Sequence, residues 1–84
     1  MFFTYILQSQ SDGSFYVGYT SNLEQRLNQH NQGLSRYTKG KTPWVIAYCE
    51  SFETKSEAIK REIFLKNQRN KDFFLSLITG SSVG

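Results

Sequence analysis

The N-terminal part of the chain alternates in the way that paired β-strands do. Between positions 2 and 9 large apolar residues occupy both alternating sets, as expected of a strand that is covered on both faces. Asp12-Gly13 is a hairpin-turn signal, and positions 15–19 alternate again as a second, antiparallel strand. Gly18 interrupts this strand and leaves a space where backbone, a helix or a ligand can approach closely.

A helix is predicted to follow the second strand, over about residues 22–32. The stretch 21–24, Ser-Asn-Leu-Glu, predicts a capping box with Ser21 as the N-cap. Four residues at i, i+3, i+4 and i+7 form one stripe on this helix: Leu23, Arg26, Leu27 and His30. The stripe predicts that Arg26 and His30 face the core, where a charge costs free energy unless it is paired or used.

The second half of the chain supplies one more strand and two more helices. Residues 44–52 read as the third strand, a capping box at 54–57 opens a second helix, and 72–78 read as a short final helix. The predicted order is β-β-α-β-α-α, an α/β (α+β) fold with a small three-stranded antiparallel sheet flanked by helices. Residues 1–79 are predicted to form the domain, and 80–84 a flexible C-terminal tail.

Length and composition exclude several classes of protein. The chain has 84 residues and one cysteine, Cys49, so it carries no internal disulfide framework and suits the reducing cytosol. No signal peptide and no apolar run that could span a bilayer is visible, which predicts a cytoplasmic protein without membrane contact. Neither a Cys/His cluster for structural zinc nor a phosphate-binding glycine loop is present.

The basic residues are clustered. The net charge is +3 and the isoelectric point about 9.2, which on its own is a weak indication of a polyanionic partner. Cationic side chains concentrate in two stretches, 36–41 and 60–71. Two solvated basic faces would explain the same pattern, and Lys66 alone is typical of a surface lysine whose stem covers apolar neighbours.

Three polar side chains are predicted to face inward from apolar helix stripes, namely Arg26, His30 and Glu62. Tyr5 and Tyr16 lie on adjacent strands and could point to the same side. A carboxylate on an apolar helix face can hold a divalent cation, arginine suits a phosphate, and histidine can shuttle a proton near neutral pH. Together with a tyrosine hydroxyl that orients or deprotonates water, this set suits phosphodiester hydrolysis.

Each of these residues also has a purely structural interpretation. Glu62 and Arg26 could form a structural ion pair, and His30 could be a hydrogen-bonded histidine at a helix end. Tyr5 and Tyr16 could be ordinary half-buried aromatic residues of a sheet.

The chain resembles the GIY-YIG nuclease family, in its small stand-alone bacterial form. The first family tripeptide falls on Phe3-Thr4-Tyr5, where only the tyrosine remains, and the second is Tyr16-Val17-Gly18, nearly intact. Arg26 stands eight positions after the glycine, where the family places its arginine. His30 and Glu62 then follow in the family's order, the glutamate on the later helix.

Over roughly residues 2–78 the resemblance implies a metal-dependent endonuclease that hydrolyses DNA, in the class of enzymes used in DNA repair. It implies one Mg²⁺ or Mn²⁺ ion and no small-molecule cofactor. The alternative is a nucleic-acid-binding module of the same fold with little or no cleavage activity. A purely structural partner protein would leave the inward polar side chains unexplained. The expected contacts to the DNA backbone come from basic residues, which are Arg36, Lys39, Lys41, Lys60, Lys66 and Arg69.

The resemblance also implies a role for each catalytic residue. Glu62 would hold the metal ion against the scissile phosphate, and Arg26 would neutralise the other side of that phosphate. Tyr5 or Tyr16 would activate the water, and His30 would accept or relay the proton. Members of the family differ in which tyrosine is assigned as the base, so both remain candidates.

Overall fold

A computed structural model describes residues 1–34, 36–68 and 70–80 of the chain. The strands are β1 (Phe2–Ser9), β2 (Phe15–Thr20) and β3 (Trp44–Phe52). The helices are α1 (Leu23–Asn31), α2 (Lys55–Lys66) and α3 (Lys71–Gly80), with one 3₁₀ turn at Lys39–Lys41. The element order is β-β-α-β-α-α, which confirms the predicted fold class.

β1 is the central strand of the antiparallel sheet, whose order is β2-β1-β3. Tyr5 of β1 lies opposite Gly18 of β2 and opposite Cys49 of β3. The pairing with β3 shifts register between Ile6 and Leu7. Residues 4–7 are all buried, as expected of a strand that has helices on both faces.

Two apolar clusters form on opposite faces of this sheet, because successive residues of a strand point to opposite sides. The first consists of Ile6, Val17, Leu65 and Phe74, and so joins β1 and β2 to α2 and α3. The second consists of Tyr5, Leu7 and Trp44, against which Leu23 and Leu27 of α1 pack. The sheet is therefore held between α1 on one face and α2 with α3 on the other.

The first predicted capping box is wrong by one residue. α1 begins at Leu23, and its N-cap is Asn22, whose Oδ1 accepts from the backbone N–H of Gln25 at 3.0 Å. The backbone N–H of Asn22 in turn donates to Thr20 Oγ1 at 3.1 Å, which fixes the chain just ahead of the helix. Asparagine is at least as good an N-cap as serine, so the Ser-Asn pair offers two candidates that the sequence alone does not separate.

The second capping box and the later elements agree more closely with the sequence. Thr54 is the N-cap of α2, where its Oγ1 accepts from the backbone N–H of Glu57 at 3.2 Å. α3 extends the predicted helix at both ends and includes Gly80. The other residues of the predicted tail, 81–84, lie outside the described residues. In the described part of the chain no helix is both long and apolar enough to cross a membrane.

Candidate functional site

A polar cleft of about 320 Å³ opens where β1, β2, α1 and α2 meet, and we call it the central cleft. Four of the five residues that were expected to be catalytic line it: Tyr5, Tyr16, Arg26 and Glu62. The fifth, His30, lies behind Tyr5 and lines an adjoining cavity together with Tyr16 and Arg26. The structure thus gathers residues from four separate elements around one concave surface.

Gly18 allows the ring of Tyr5 to lie against the backbone of β2. A Cβ atom at position 18 would stand 2.6 Å from the Oη of Tyr5 and 2.8 Å from its Cζ, distances that no real Cβ contact reaches. It would also lie 3.3 Å from Cε2 of Tyr16. The glycine of the second tripeptide is therefore required by the packing of two tyrosines rather than by an unusual backbone angle.

Tyr5, His30 and Thr38 form a buried chain of hydrogen bonds that runs inward from the central cleft. The Oη of Tyr5 lies 3.2 Å from Nε2 of His30, and Nδ1 of His30 lies 2.8 Å from Oγ1 of Thr38. All three residues are at most 2% exposed. The backbone carbonyl of Thr38 also accepts from the indole N–H of Trp44 at 2.9 Å, and this bond holds Thr38 at the inner end of the series of hydrogen bonds.

Burial favours the neutral form of both titratable side chains in this hydrogen-bonded set, Tyr5 and His30. It raises the pKa of Tyr5 well above its ordinary value; the neighbouring Tyr16 adds to the rise, and Arg26 partly opposes it. Burial, and secondarily the positive charge of Arg26, lowers the pKa of His30 below its ordinary value. His30 is therefore neutral at pH 7. In the tautomer that carries its proton on Nδ1, this N–H donates to Thr38 Oγ1, and Nε2 can then accept the proton of Tyr5.

Arg26 is exposed, and the expectation that it faces the core is wrong. Leu23 and Leu27 of α1 are half-buried on the sheet and His30 is fully buried, whereas Arg26 precedes Leu27 and lies at the margin of their stripe. Its side chain lines both the central cleft and the adjoining cavity. The arginine keeps its charge in contact with solvent, so the free-energy cost of a buried charge, which the sequence led us to expect, does not arise.

Glu62 reaches the central cleft from α2, and its side chain is only 15% exposed. Its Oε2 pairs with Nζ of Lys66 at 3.1 Å, one turn along the same helix. Within the described part of the chain the ion-pair partner of Glu62 is thus Lys66, and the predicted alternative of a Glu62–Arg26 pair is not formed.

The donors in the central cleft fit a hard divalent cation that keeps most of its water. Glu62 is the one acidic residue among the described residues lining it, and the described chain contains no group of three or more potential ligands among His, Cys, Asp and Glu. Mg²⁺ commonly binds through one or two carboxylates together with waters and substrate phosphate. Glu62 therefore fits as a single protein ligand, and a cage made of protein groups alone is not available in the described part.

The predicted DNA-contacting residues are not all brought to one place. Arg36 and Lys39 are exposed, and Lys41 is half-buried, with its Nζ 3.8 Å from Oδ2 of Asp12. Lys60 lies in a separate shallow groove that shares no described residue with the central cleft, so it does not belong to that site. Arg69 lies outside the described residues.

Two residues of the site were missed by the sequence analysis. Lys55 lines the central cleft from the first turn of α2. Its spacing of seven residues from Glu62 places both on one helix face and would have been a usable signal. Thr38 has no comparable signal, because it lies in a loop without periodicity and reaches His30 only through the path of that loop.

Residues 1–74 match the GIY-YIG catalytic domain, and the chain belongs to this family. Among its relatives are proteins of the small UPF0213 group from bacteria and archaea. A UPF0213 protein of Clostridium perfringens is 42% identical over 99% of this chain and 88% of its own length. One from Halobacterium salinarum is also 42% identical, over 79% of this chain and 86% of its own.

A solved structure supports the same grouping. The solution NMR structure of the UPF0213 protein BH0048 from Bacillus halodurans is 34% identical, with a TM-score of 0.57. The match covers 98% of this chain and 90% of that one. The resemblance drawn from the tripeptides, the arginine and the glutamate is thereby confirmed at the level of family and fold.

Proposed function

We propose that the protein is a metal-dependent endonuclease that hydrolyses phosphodiester bonds in DNA. The observation that carries this proposal is the central cleft, where a glutamate, an arginine and two tyrosines, Glu62, Arg26, Tyr5 and Tyr16, border one cavity of about 320 Å³. Such groups meet the needs of phosphodiester hydrolysis, which are charge stabilisation, an activated water and help for the leaving oxygen. Membership of a family of GIY-YIG catalytic domains supports the same activity.

Arg26 and Lys55 bind the scissile phosphate in this proposal. Both line the central cleft, and Arg26 is exposed there, so its planar guanidinium can contact two phosphate oxygens at once. A Mg²⁺ or Mn²⁺ ion held by Glu62 would supply further charge stabilisation at the phosphate. Arg36 and Lys39, exposed on the loop after α1, add backbone contacts without reading sequence.

Tyr5 and His30 move the proton of the attacking water. Tyr5 is protonated at neutral pH, as an ordinary tyrosine is, and burial raises its pKa further, so its oxygen takes a proton from water only as its own proton passes to Nε2 of His30. Thr38 holds the other ring nitrogen of His30 at 2.8 Å and keeps the ring oriented. Pairing Arg26 with a phosphate offsets the positive charge that lowers the pKa of His30, so substrate binding makes the histidine a better acceptor.

Tyr16 positions this apparatus rather than carrying the proton. Its ring contacts that of His30 edge-on, with centroids 4.9 Å apart, and its side chain borders the central cleft.

The chain's single cysteine, Cys49, is exposed and unpaired, and we place the protein in the reducing cytosol on that ground.

The second candidate function is nucleic-acid binding without cleavage. It is favoured by the ion pair between Glu62 and Lys66, because a carboxylate that already has a cationic partner holds a metal ion less tightly. A binding module would retain Arg26, Lys55 and the exposed basic loop as phosphate contacts, and it would bind with strong salt dependence.

A plasmid-nicking assay separates the two functions. Supercoiled plasmid is incubated with the protein in Mg²⁺, in Mn²⁺ and in EDTA, and a Glu62→Gln preparation purified in the same way excludes a contaminating nuclease. The nuclease proposal predicts open-circular product in either metal and none in EDTA or with Glu62→Gln. Binding in a gel shift without nicking in any metal would favour the binding module.

A further inference from the structure

A second cleft adjoins the central cleft and shares the side chain of Tyr16 with it. This tyrosine cleft has a volume of about 270 Å³. Its walls are formed by Tyr16 and Tyr37, by Phe15 and Phe74, and by the polar side chains of Lys66 and Gln68. The proposed hydrolysis uses neither Tyr37 nor Gln68, so this cleft has no role in the mechanism above.

Tyr37 is a large aromatic side chain that lies exposed at the surface. It is 53% exposed, although it lies directly beside the buried Thr38. Its ring stacks on that of Tyr16, with centroids 5.6 Å apart and planes 29° apart. The Nζ of Lys41 lies 4.9 Å from the centre of the Tyr37 ring, so a positive charge is held at the aromatic surface.

The chemistry of the tyrosine cleft matches one nucleotide. Aromatic walls bind the π-face of any base. The ammonium group of Lys41, close to the Tyr37 ring, can bind the phosphate attached to that base. Gln68 is fixed by donation from its Nε2 to the carbonyl of Phe64 at 3.2 Å, and its side-chain carbonyl can accept from an N–H of a base. The volume lies just below the range of about 300–1,000 Å³ that larger ligands occupy, as suits a single ring system.

We propose that the tyrosine cleft binds one unstacked base next to the phosphate held in the central cleft. Because Tyr16 borders both clefts, a strand with its phosphate at Arg26 carries the neighbouring base to Tyr37. A base inside continuous duplex is stacked and paired and cannot enter without being extruded. The preferred substrate is therefore nucleic acid with an unpaired nucleotide at the cleavage position, and this inference rests on the proposed function for the location of the phosphate.

Binding measured in EDTA tests the base subsite independently of cleavage. The probes are a fluorescein-labelled single strand of thymidylate and a strand of the same length and charge that carries abasic spacers. Tyr37→Ala should bind the thymidylate strand roughly tenfold more weakly than the wild type. Removing one aromatic side chain on which a base stacks typically lowers the affinity for a single strand by about this factor. Tyr37→Phe should bind it nearly as well as the wild type, and neither change should alter binding of the abasic strand.

Phe64→Ala is the matched control. Phe64 is also an exposed aromatic residue, 46% accessible, with the guanidinium of Arg61 5.2 Å from its ring centre, but it lies in the separate groove that contains Lys60. Its loss should leave thymidylate affinity unchanged. Circular dichroism and melting temperature verify that each variant is folded.

Two results would overturn the base subsite: unchanged thymidylate affinity in Tyr37→Ala, or an equal loss on the abasic strand, which would assign Tyr37 to backbone contact alone. These results leave the nuclease proposal standing if nicking still requires Mg²⁺ and Glu62. Conversely, base-dependent binding with no cleavage of either plasmid or single-stranded DNA in any metal supports the subsite and rejects the nuclease.

Discussion

The hydroxyl group of Tyr5 occupies the space that a side chain at position 18 would need. The two residues are partners across the β1–β2 ladder, and a Cβ atom on Gly18 would lie 2.6 Å from the Tyr5 Oη. The position of this hydroxyl, 3.2 Å from Nε2 of His30, thus depends on the absence of a side chain on the neighbouring strand. Packing of the sheet and geometry of the proposed site are set by the same pair.

Gly18→Ala should therefore damage activity more than stability. The added methyl group must displace the Tyr5 ring, and overpacking of this kind costs about 1–3 kcal/mol of folding free energy. A shift of the hydroxyl by an ångström should lower the nicking rate roughly 100-fold. Gly40→Ala is the control, because a Cβ there meets no atom within 4 Å. Nicking at the wild-type rate by a folded Gly18→Ala variant would refute the role given to Tyr5.

Thr38→Val tests whether Thr38 positions His30. Valine keeps the shape of the side chain but removes the oxygen 2.8 Å from the His30 Nδ1, which leaves a buried ring nitrogen without this partner. We expect a loss of about 1–3 kcal/mol in the free energy of unfolding and a changed pH profile of nicking. Thr38→Ser, which keeps the hydroxyl, should restore the wild-type pH profile. An identical pH profile in the valine variant would contradict this role.

The stability of the protein should fall as the pH is lowered from neutrality. The pKa of His30 in the folded chain lies below its ordinary value of 6.5, so the unfolded chain takes up this proton first. The stabilisation is fully present above about pH 6.5 and is lost as the pH falls towards the folded pKa. Urea unfolding at about pH 7.5 and 5.5, above the range where carboxylates titrate, measures the effect.

His30→Gln is the control for this pH dependence, because the chain contains one histidine. The variant is expected to be less stable at every pH but to lose most of the difference between the two pH values. Stability that rises on acidification of the wild type, or an equal slope in His30→Gln, would be inconsistent with a buried neutral histidine.

The ion pair between Arg61 and Glu50 should contribute stability without contributing to cleavage. Nε and Nη2 of Arg61 each lie 3.0 Å from one carboxylate oxygen of Glu50, which ties α2 to β3, and the Tyr48 hydroxyl donates to the same carboxylate. Both charged side chains are partly exposed, so we expect Glu50→Gln to cost about 1–2 kcal/mol and to lower Tm by about 5–10 °C. Nicking measured well below Tm should be unchanged. Glu53→Gln, at an exposed position, should alter neither property.

The sequence predicted the elements better than it predicted the interior of the site. Alternation and the Thr54 capping box placed β3 and α2 correctly, because these signals are local. Arg26 was predicted to face the core but is exposed. The spacing of apolar residues shows which side of α1 faces the sheet, but it does not show how much of the helix surface the sheet covers. Thr38 and Tyr37 were missed, because their contacts depend on how the loop between α1 and β3 folds back over the sheet.

The most direct test of the central claim is Mg²⁺-dependent nicking by Glu62→Gln, compared with Glu53→Gln. Glutamine keeps the size and helix propensity of Glu62, and the pair lost with Lys66 is a partly exposed i,i+4 contact worth about 0.3–0.5 kcal/mol. We predict an almost unchanged Tm, DNA affinity that is equal or slightly higher, and a nicking rate lower by roughly two to three orders of magnitude. Nicking by Glu62→Gln at the rate of the wild type and of Glu53→Gln would contradict the account.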